Sequence, residues 1–288
     1  ANMGAFAFGT VISWSAVGFP RLEEDTEFGD YSQEDLSWMS SSATLGACIS
    51  CIPSGIFVDR FGRKKAMLFL TIPFLTGWIL MYFAQNVWMM IAGRLLTGFG
   101  GGGYSLAAPV YVAETSESKY RGMFISGFDV LTGIGMLYIL ICGSYLNWKN
   151  QVLVCAFVPL VTFVLALLVP ESPRYLLSKG FQTEGIKSLC WLRGTKDSQQ
   201  IKAELFELMQ NVEENRAEPL DVRIRELKNP AVLRAAILGL FLFVFQVMTG
   251  ITAVLFYTVY IFKSAGADVD EYTSAIIIGA VGVVSLNV

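Results

Sequence analysis

Asp59, Arg60, Arg63, Lys64 and Lys65 crowd one acid and four cations into a short turn, Gly55-Ile-Phe-Val-Asp-Arg-Phe-Gly-Arg-Lys-Lys65, between two long apolar runs. An aspartate at the end of a helix can accept from the backbone amides that open a neighbouring helix, and an arginine beside it can pair with carboxylates on other segments. Such carboxylates stand at Glu114, with Arg121 across the short turn 114–121, and at Glu171, with Arg174 in Pro170-Glu-Ser-Pro-Arg174. Pairs of this kind form in one conformation and break in another, so the chemistry they suggest is conformational switching rather than bond making. The plainer reading is that they anchor helix ends at a membrane interface.

Little else in the chain could make or break bonds. It has no histidine, which removes Ser-His catalysis, the common zinc sites and histidine proton relays together. Proton handling would fall to carboxylates, and Asp129 lies inside an apolar run, where an acid requires a wet cavity or a partner. Cys48-x-x-Cys51 matches a redox or metal spacing, but without partner ligands it reads as two small buried thiols. Gly98-Phe-Gly-Gly-Gly-Gly103 contains Gly-x-Gly-x-x-Gly, yet a phosphate loop must follow a strand in water, so close helix packing is the expected use. With no nucleophile, metal set or paired-carboxylate constellation, neither an enzyme nor a metal or other cofactor is expected.

The elements holding these residues are set by composition. Apolar residues make up 54% of the 288 positions and charged residues 16%, too little polar surface for a soluble globule, so a polytopic all-α membrane protein is expected. Runs long enough to cross a hydrocarbon core of about 30 Å fall near 1–20, 36–57, 65–84, 88–113, 122–143, 150–170 and 231–262, with a further clipped one at 272–288. Run 231–262 is too long for one straight crossing, and Thr249-Gly-Ile-Thr252 predicts a break near mid-membrane. Lys and Arg number four in 57–65, two in 114–121 and eleven in 171–234, against Arg21, Lys149 and Lys263 on the alternate side and Arg94 within a span. The positive-inside rule therefore puts 171–230 in the cytoplasm. The segregated cations and net charge of −3 argue against nucleic acid.

Between the spans, 171–230 reads as short amphipathic helices. Ser172-Pro173 predicts a capped helix start, and Ser198 caps a longer helix with Ile201, Leu205, Leu208, Met209 and Val212 on one face. Arg223, Arg225 and Lys228 form a basic patch that could touch anionic lipid or simply face water. The expected domains are 1–170, a six-span bundle; 171–230, a cytoplasmic linker; and 231–288, spans seven and part of eight. Most tryptophans near span ends are expected to be interfacial anchors. The chain is expected to be a fragment.

These motifs resemble the sugar porters of the major facilitator superfamily. The resemblance rests on the 55–65 turn, Gly93-Arg94, Pro109-Val-Tyr-Val-Ala-Glu114, Arg121-Gly122, Pro170-Glu-Ser-Pro-Arg174, Leu192-Arg-Gly194, and Gln246 with Gly250-Ile-Thr252. The overall wording resembles insect facilitated trehalose transporters. It implies the N-terminal six-helix bundle of a major facilitator fold and the start of a C-terminal bundle, whose remainder is needed for a complete pathway. It also implies that Asp59, Arg60, Arg63, Arg94, Glu114, Arg121, Glu171 and Arg174 form a cytoplasmic charge network. The seventh-span amides of the family contact sugar hydroxyls; here Gln246 matches the first, Val247 replaces the second and Thr252 stands where asparagine is usual.

The same resemblance implies a sugar carrier in a membrane, with the plasma membrane as its expected location and a small sugar and the lipid bilayer as partners. Substrate-contacting candidates are Gln246, Thr252, Asp129, Phe256 and Tyr257. Proton-linked sugar porters resemble one another in an acid on the first span that would fall near Val11, so facilitated uniport of trehalose or a hexose such as glucose is the leading reading. Proton symport through Asp129 and a non-transporting sugar sensor or truncated regulatory isoform are the alternatives.

Overall fold

A computed structural model describes residues 2–25, 28–29, 31–117, 119–195, 201–216, 229–265 and 270–285. Ser198, Arg223, Arg225 and Lys228 lie outside them. The helices in chain order are α1 (Met3–Glu23), α2 (Gln33–Phe61), α3 (Arg63–Tyr82), α4 (Val87–Thr115), α5 (Arg121–Tyr145), α6 (Trp148–Leu168), α7 (Pro173–Ser178), α8 (Gln182–Leu192), α9 (Lys202–Arg216), α10 (Pro230–Met248), α11 (Ile251–Ala265) and α12 (Glu271–Ser285). By length and hydropathy, α1, α2, α3, α5, α6 and the stretch Pro230–Ala265 can each cross a membrane. α4 is equally long at 29 residues, but its glycines and Arg94 dilute its hydropathy.

Two compact units divide the chain: Ala1–Ser172 with Leu255–Val288, and Pro173–Val254.

In the first unit α4 packs against α2 and α3, α1 against α5 and α6, and α12 against α5. α2 shows why such helices suit lipid. Its inward face carries Ala43, Gly46, Ser50 and Ser54, while Leu45, Ile49, Ile52 and Ile56 on the opposite stripe are 46–76% exposed. Bilayer tails are as apolar as leucine, so small residues that let backbones approach take the interior. Two of the inward serines satisfy their hydroxyls locally, Ser42 donating to the Met39 carbonyl at 2.9 Å and Ser50 to that of Ala47 at 2.7 Å, while the buried Ser40 and Ser54 hydroxyls find no partner among the described residues. The expectation for Cys48 and Cys51 fails here; both are exposed, because they fall on the same stripe as the isoleucines.

The glycine tract is used as expected. A Cβ on Gly98 would overlap the Ala43 carbonyl, and one on Gly46 would overlap that of Leu95, so α2 and α4 interlock by exchanging glycines. Beside this seam sit the fully buried Trp14, Phe74, Trp78 and Tyr104. Trp148 is buried too; Trp38 (59% exposed) and Trp88 (78%) stand at the surface near span ends as interfacial anchors would, and Trp191 of α8 is exposed in the second unit.

Helix starts follow capping chemistry. Ser32 and Asp35 form a reciprocal box at α2, and the Asn86 side chain accepts from Met89 N at α4. Asn229 accepts from Ala231 N, with Pro230 as the first residue of α10.

In the second unit α7 packs on α8 and α9. The α8 end is tied to α9 by a forked pair, with Arg193 Nε and Nη2 donating to the two Glu204 oxygens at 3.0 and 2.6 Å. The stripe of α9 is oriented as its spacing predicts: Ile201 is buried, Leu205, Leu208, Met209 and Val212 are half-buried, and Lys202, Glu207 and Glu213 are exposed. α10 buries none of its residues within this chain, and a helix apolar all round suits a lipid or protein interior rather than water.

Candidate functional site

Three places in the molecule gather the candidate residues. The first lies at the end of the bundle that carries the basic turn. Gly62, at φ 101°, ends α2 and opens α3 without a side-chain cap, leaving the first amides of α3 in need of an acceptor. Glu171 supplies it from 108 residues away: its Oε1 accepts from Arg63 N, Lys64 N and Ser172 N, each at 2.9 Å. A carboxylate at a helix N-terminus also meets the favourable end of the helix dipole.

Arg63 then crosses to Glu114, whose side chain is 7% exposed. Nη2 donates to Oε1 at 2.8 Å and Nε stands 2.8 Å from Oε2. Nη1 of Arg63 donates to the Val58 carbonyl at 3.1 Å, and Ser172 Oγ donates to Glu114 Oε2. Lys64 Nζ donates to the Leu167 carbonyl and Tyr111 Oη to that of Pro170. Four segments are thereby sewn together: the end of α2, the start of α3, the end of α4 and the exit from α6.

The remaining charged candidates stand apart from this knot. Asp59 is 80% exposed and 3.6 Å from Arg63; the amide-capping role expected of it belongs to Glu171. Arg60 lies over the Phe61 ring at 6.0 Å. Arg60 and Arg121 in the first unit and Arg174 in the second are exposed, so the network predicted as one divides into a withdrawn cluster around Arg63 and separate exposed charges. Spacing could not have shown that Lys64, Tyr111 and Ser172 contribute, because their partners arrive from distant segments.

The second place is the interior. Arg94 on α4 is fully buried. Nη1 donates to the Val11 carbonyl at 3.0 Å, Nη2 donates to Ser15 Oγ, and the guanidinium carbon is 5.3 Å from the Trp14 ring. Among the described residues no carboxylate pairs with it.

The third is the broken seventh span. α10 stops at Met248, Thr249 Oγ1 donates to the Gln246 carbonyl at 2.6 Å, Gly250 takes φ +72°, and α11 starts at Ile251. The predicted interruption is thus a left-handed turn that glycine adopts without strain. A second bend follows at Tyr257, with φ −117° and ψ 20°. Gln246 and Thr252 are exposed in the second unit; Phe256 is buried and Tyr257 half-buried in the first. Asp129 is exposed on the third turn of α5 and shares no hydrogen bond or ring contact with Phe256 or Tyr257 among the described residues.

At the opposite end of the bundle from Arg63, the α1 exit is a second charged junction. Arg21 donates to Glu24 at 3.0 Å and to the Ser144 carbonyl at 2.8 Å, while Trp148 Nε1 donates to Asp25. Arg21, Glu24, Tyr82, Asn147, Lys149 and Asn150 help to line a cleft of about 530 Å³ there. The Tyr31 phenol nearby is pushed up to about 12, first by burial and then by the Glu23 charge.

Helices interlocked through glycine, a broken seventh span and a charge-capped turn make up a polytopic helical membrane fold. Solved structures share that fold. The partially occluded inward-open xylose transporter XylE from E. coli aligns with TM-score 0.79 at 20% identity, over 98% of this chain and 69% of that one. XylE bound to 6-bromo-6-deoxy-D-glucose, described as a proton:xylose symporter, aligns with TM-score 0.79 at 22% identity, over 99% and 65%.

By sequence, the chain belongs to the sugar (and other) transporter family, whose model matches residues 5–288. Its relatives include a facilitated trehalose transporter of Polypedilum vanderplanki, 32% identical over 97% of this chain and 55% of that protein. One of Apis mellifera ligustica is 34% identical over 99% and 56%. The chain spans about half the length of these curated relatives.

Proposed function

We propose that this chain supplies the first bundle, the linker helices and the start of the second bundle of a plasma-membrane sugar carrier. The carrier works by alternating access and passes trehalose or a hexose such as glucose down its gradient, with no enzymatic step. The trehalose assignment is carried over from the relatives' names. Facilitated transport is supported by one observation: the buried Arg94 takes a carbonyl, a hydroxyl and an aromatic face as partners, and none of these exchanges a proton near neutral pH. The exposed Arg60 and Arg121, with Asp59, are suited to contacts that switch during the cycle, and Arg63, Glu114 and Glu171 hold the bundle end that presents them; Arg174, exposed in the second unit, is suited to the same role.

Uptake of labelled trehalose and glucose by the full-length carrier in vesicles tests this reading. Equal rates with and without an imposed proton gradient are expected. Gradient-driven accumulation would transfer the role to Asp129 and proton symport, and no uptake of either sugar would end the carrier reading. Gln246→Ala should weaken sugar affinity about tenfold, as a sugar hydroxyl left without its partner in the closed, occupied site costs about 1–3 kcal/mol. An unchanged affinity would remove Gln246 from the sugar site.

A further inference from the structure

Beyond its bend at Tyr257, α11 presses Thr258 and Val259, 3% and 1% exposed, into the first unit. At the next residue, Tyr260 Oη donates to Glu23 Oε1 of α1 at 2.7 Å, across 237 residues of sequence. The next helix repeats the theme. Tyr272 lies 4.6 Å beneath the Arg21 guanidinium, and Arg21 is held by Glu24 and the Ser144 carbonyl. Two neighbouring residues of the α1 exit, one anionic and one cationic, thus each hold a tyrosine from a different later span.

We propose that Glu23 and Tyr260, backed by Arg21 and Tyr272, form a clamp that keeps the outer ends of the seventh and eighth spans closed on the first. Opening of that end requires the clamp to break, with Tyr257 as the pivot. Three features fit a contact made to be broken. The hydrogen bond is reachable by water, only one of its partners is charged, and the bend beside it leaves the outer turns of α11 free to move without unwinding the rest. Glu23 and Tyr260 are accordingly positioning residues for the transport cycle, and the assignment rests on the carrier reading above.

The test uses full-length carrier with its native cysteines replaced and Val259→Cys introduced under the clamped turns. A membrane-impermeant thiol reagent added from outside reports opening. Glu23→Gln and Tyr260→Phe should each raise the labelling rate about threefold, the modest effect of a solvent-screened, charge-assisted bond. The double variant should be no faster than Tyr260→Phe alone, since that change already removes the bond that Glu23→Gln strips of its charge. Tyr272→Leu gives an independent arm should Glu23→Gln fail to reach the membrane, and it should also accelerate labelling. Unchanged labelling in Tyr260→Phe, or strictly additive effects of the two clamp substitutions, would overturn the clamp. Labelling requires no sugar, so accelerated labelling without uptake would count against the carrier and not against the clamp.

Discussion

Arg63 and Arg94 are both withdrawn from solvent, yet they solve the problem of a buried cation in different ways. Arg63, at a helix end, has a forked carboxylate partner in Glu114 and a second acid, Glu171, binding its own backbone amide. Arg94, at mid-helix, has Val11 O, Ser15 Oγ and the Trp14 ring, and no carboxylate among the described residues. Where water is within reach, opposite charges can be assembled and parted. Where it is not, the cation is balanced by dipoles that never leave. The contrast separates a place built to hold charged segments in register from a place built to stay still.

The largest expected effect comes from breaking the charged side of this contrast. Glu114→Ala leaves the Arg63 guanidinium buried without its counter-ion and should destabilise the full-length protein by about 3 kcal/mol, read as an earlier thermal unfolding in detergent. Glu114→Gln should recover part of that loss, and an equal loss would mean that shape rather than charge matters there. Arg94→Lys comes next, because an ammonium cannot reproduce the two-pronged reach or the stacking of a guanidinium; a loss of about 1–2 kcal/mol is expected in the same assay. Glu171→Gln should cost about 1 kcal/mol by weakening the cap on α3. Asp59→Ala should leave unfolding unchanged, since Asp59 is 80% exposed and its 3.6 Å pairing with Arg63 is screened by solvent. A change as large as that of Glu171→Gln would restore the capping role that the sequence assigns to Asp59. Val11→Asp would sharpen the contrast from the other side by giving Arg94 a titratable partner, and uptake should then become dependent on pH.

Most of the helical layout is legible in the chain because span length, loop charge and cap residues are local signals. The break after Met248 can be read from Gly250, and the half-buried stripe of α9 from its helical spacing. The charge network is harder to read. Which acid caps α3 depends on where the α6 exit lies relative to Gly62, and nothing near Asp59 or Glu171 in sequence encodes that proximity. The surfaces of Cys48 and Cys51 mislead for a related reason: in lipid, burial inside the protein and burial away from water are different things, and an apolar run alone does not say which face looks inward. Tyr260 carries no signal at all, because its partner is the last residue of the first helix.

The arrangement of α2, with its smallest side chains turned to α4 and its largest to the outside, also sets how this segment can diverge. At Leu45, Ile49, Ile52 and Ile56 any bulky aliphatic or aromatic residue should serve, so the outward stripe is free to drift. At Gly46 even one added methyl meets a backbone carbonyl. A mutational scan of this helix should therefore read as the mirror image of one from a water-soluble bundle, with tolerance concentrated at the large hydrophobic positions and intolerance at the small ones.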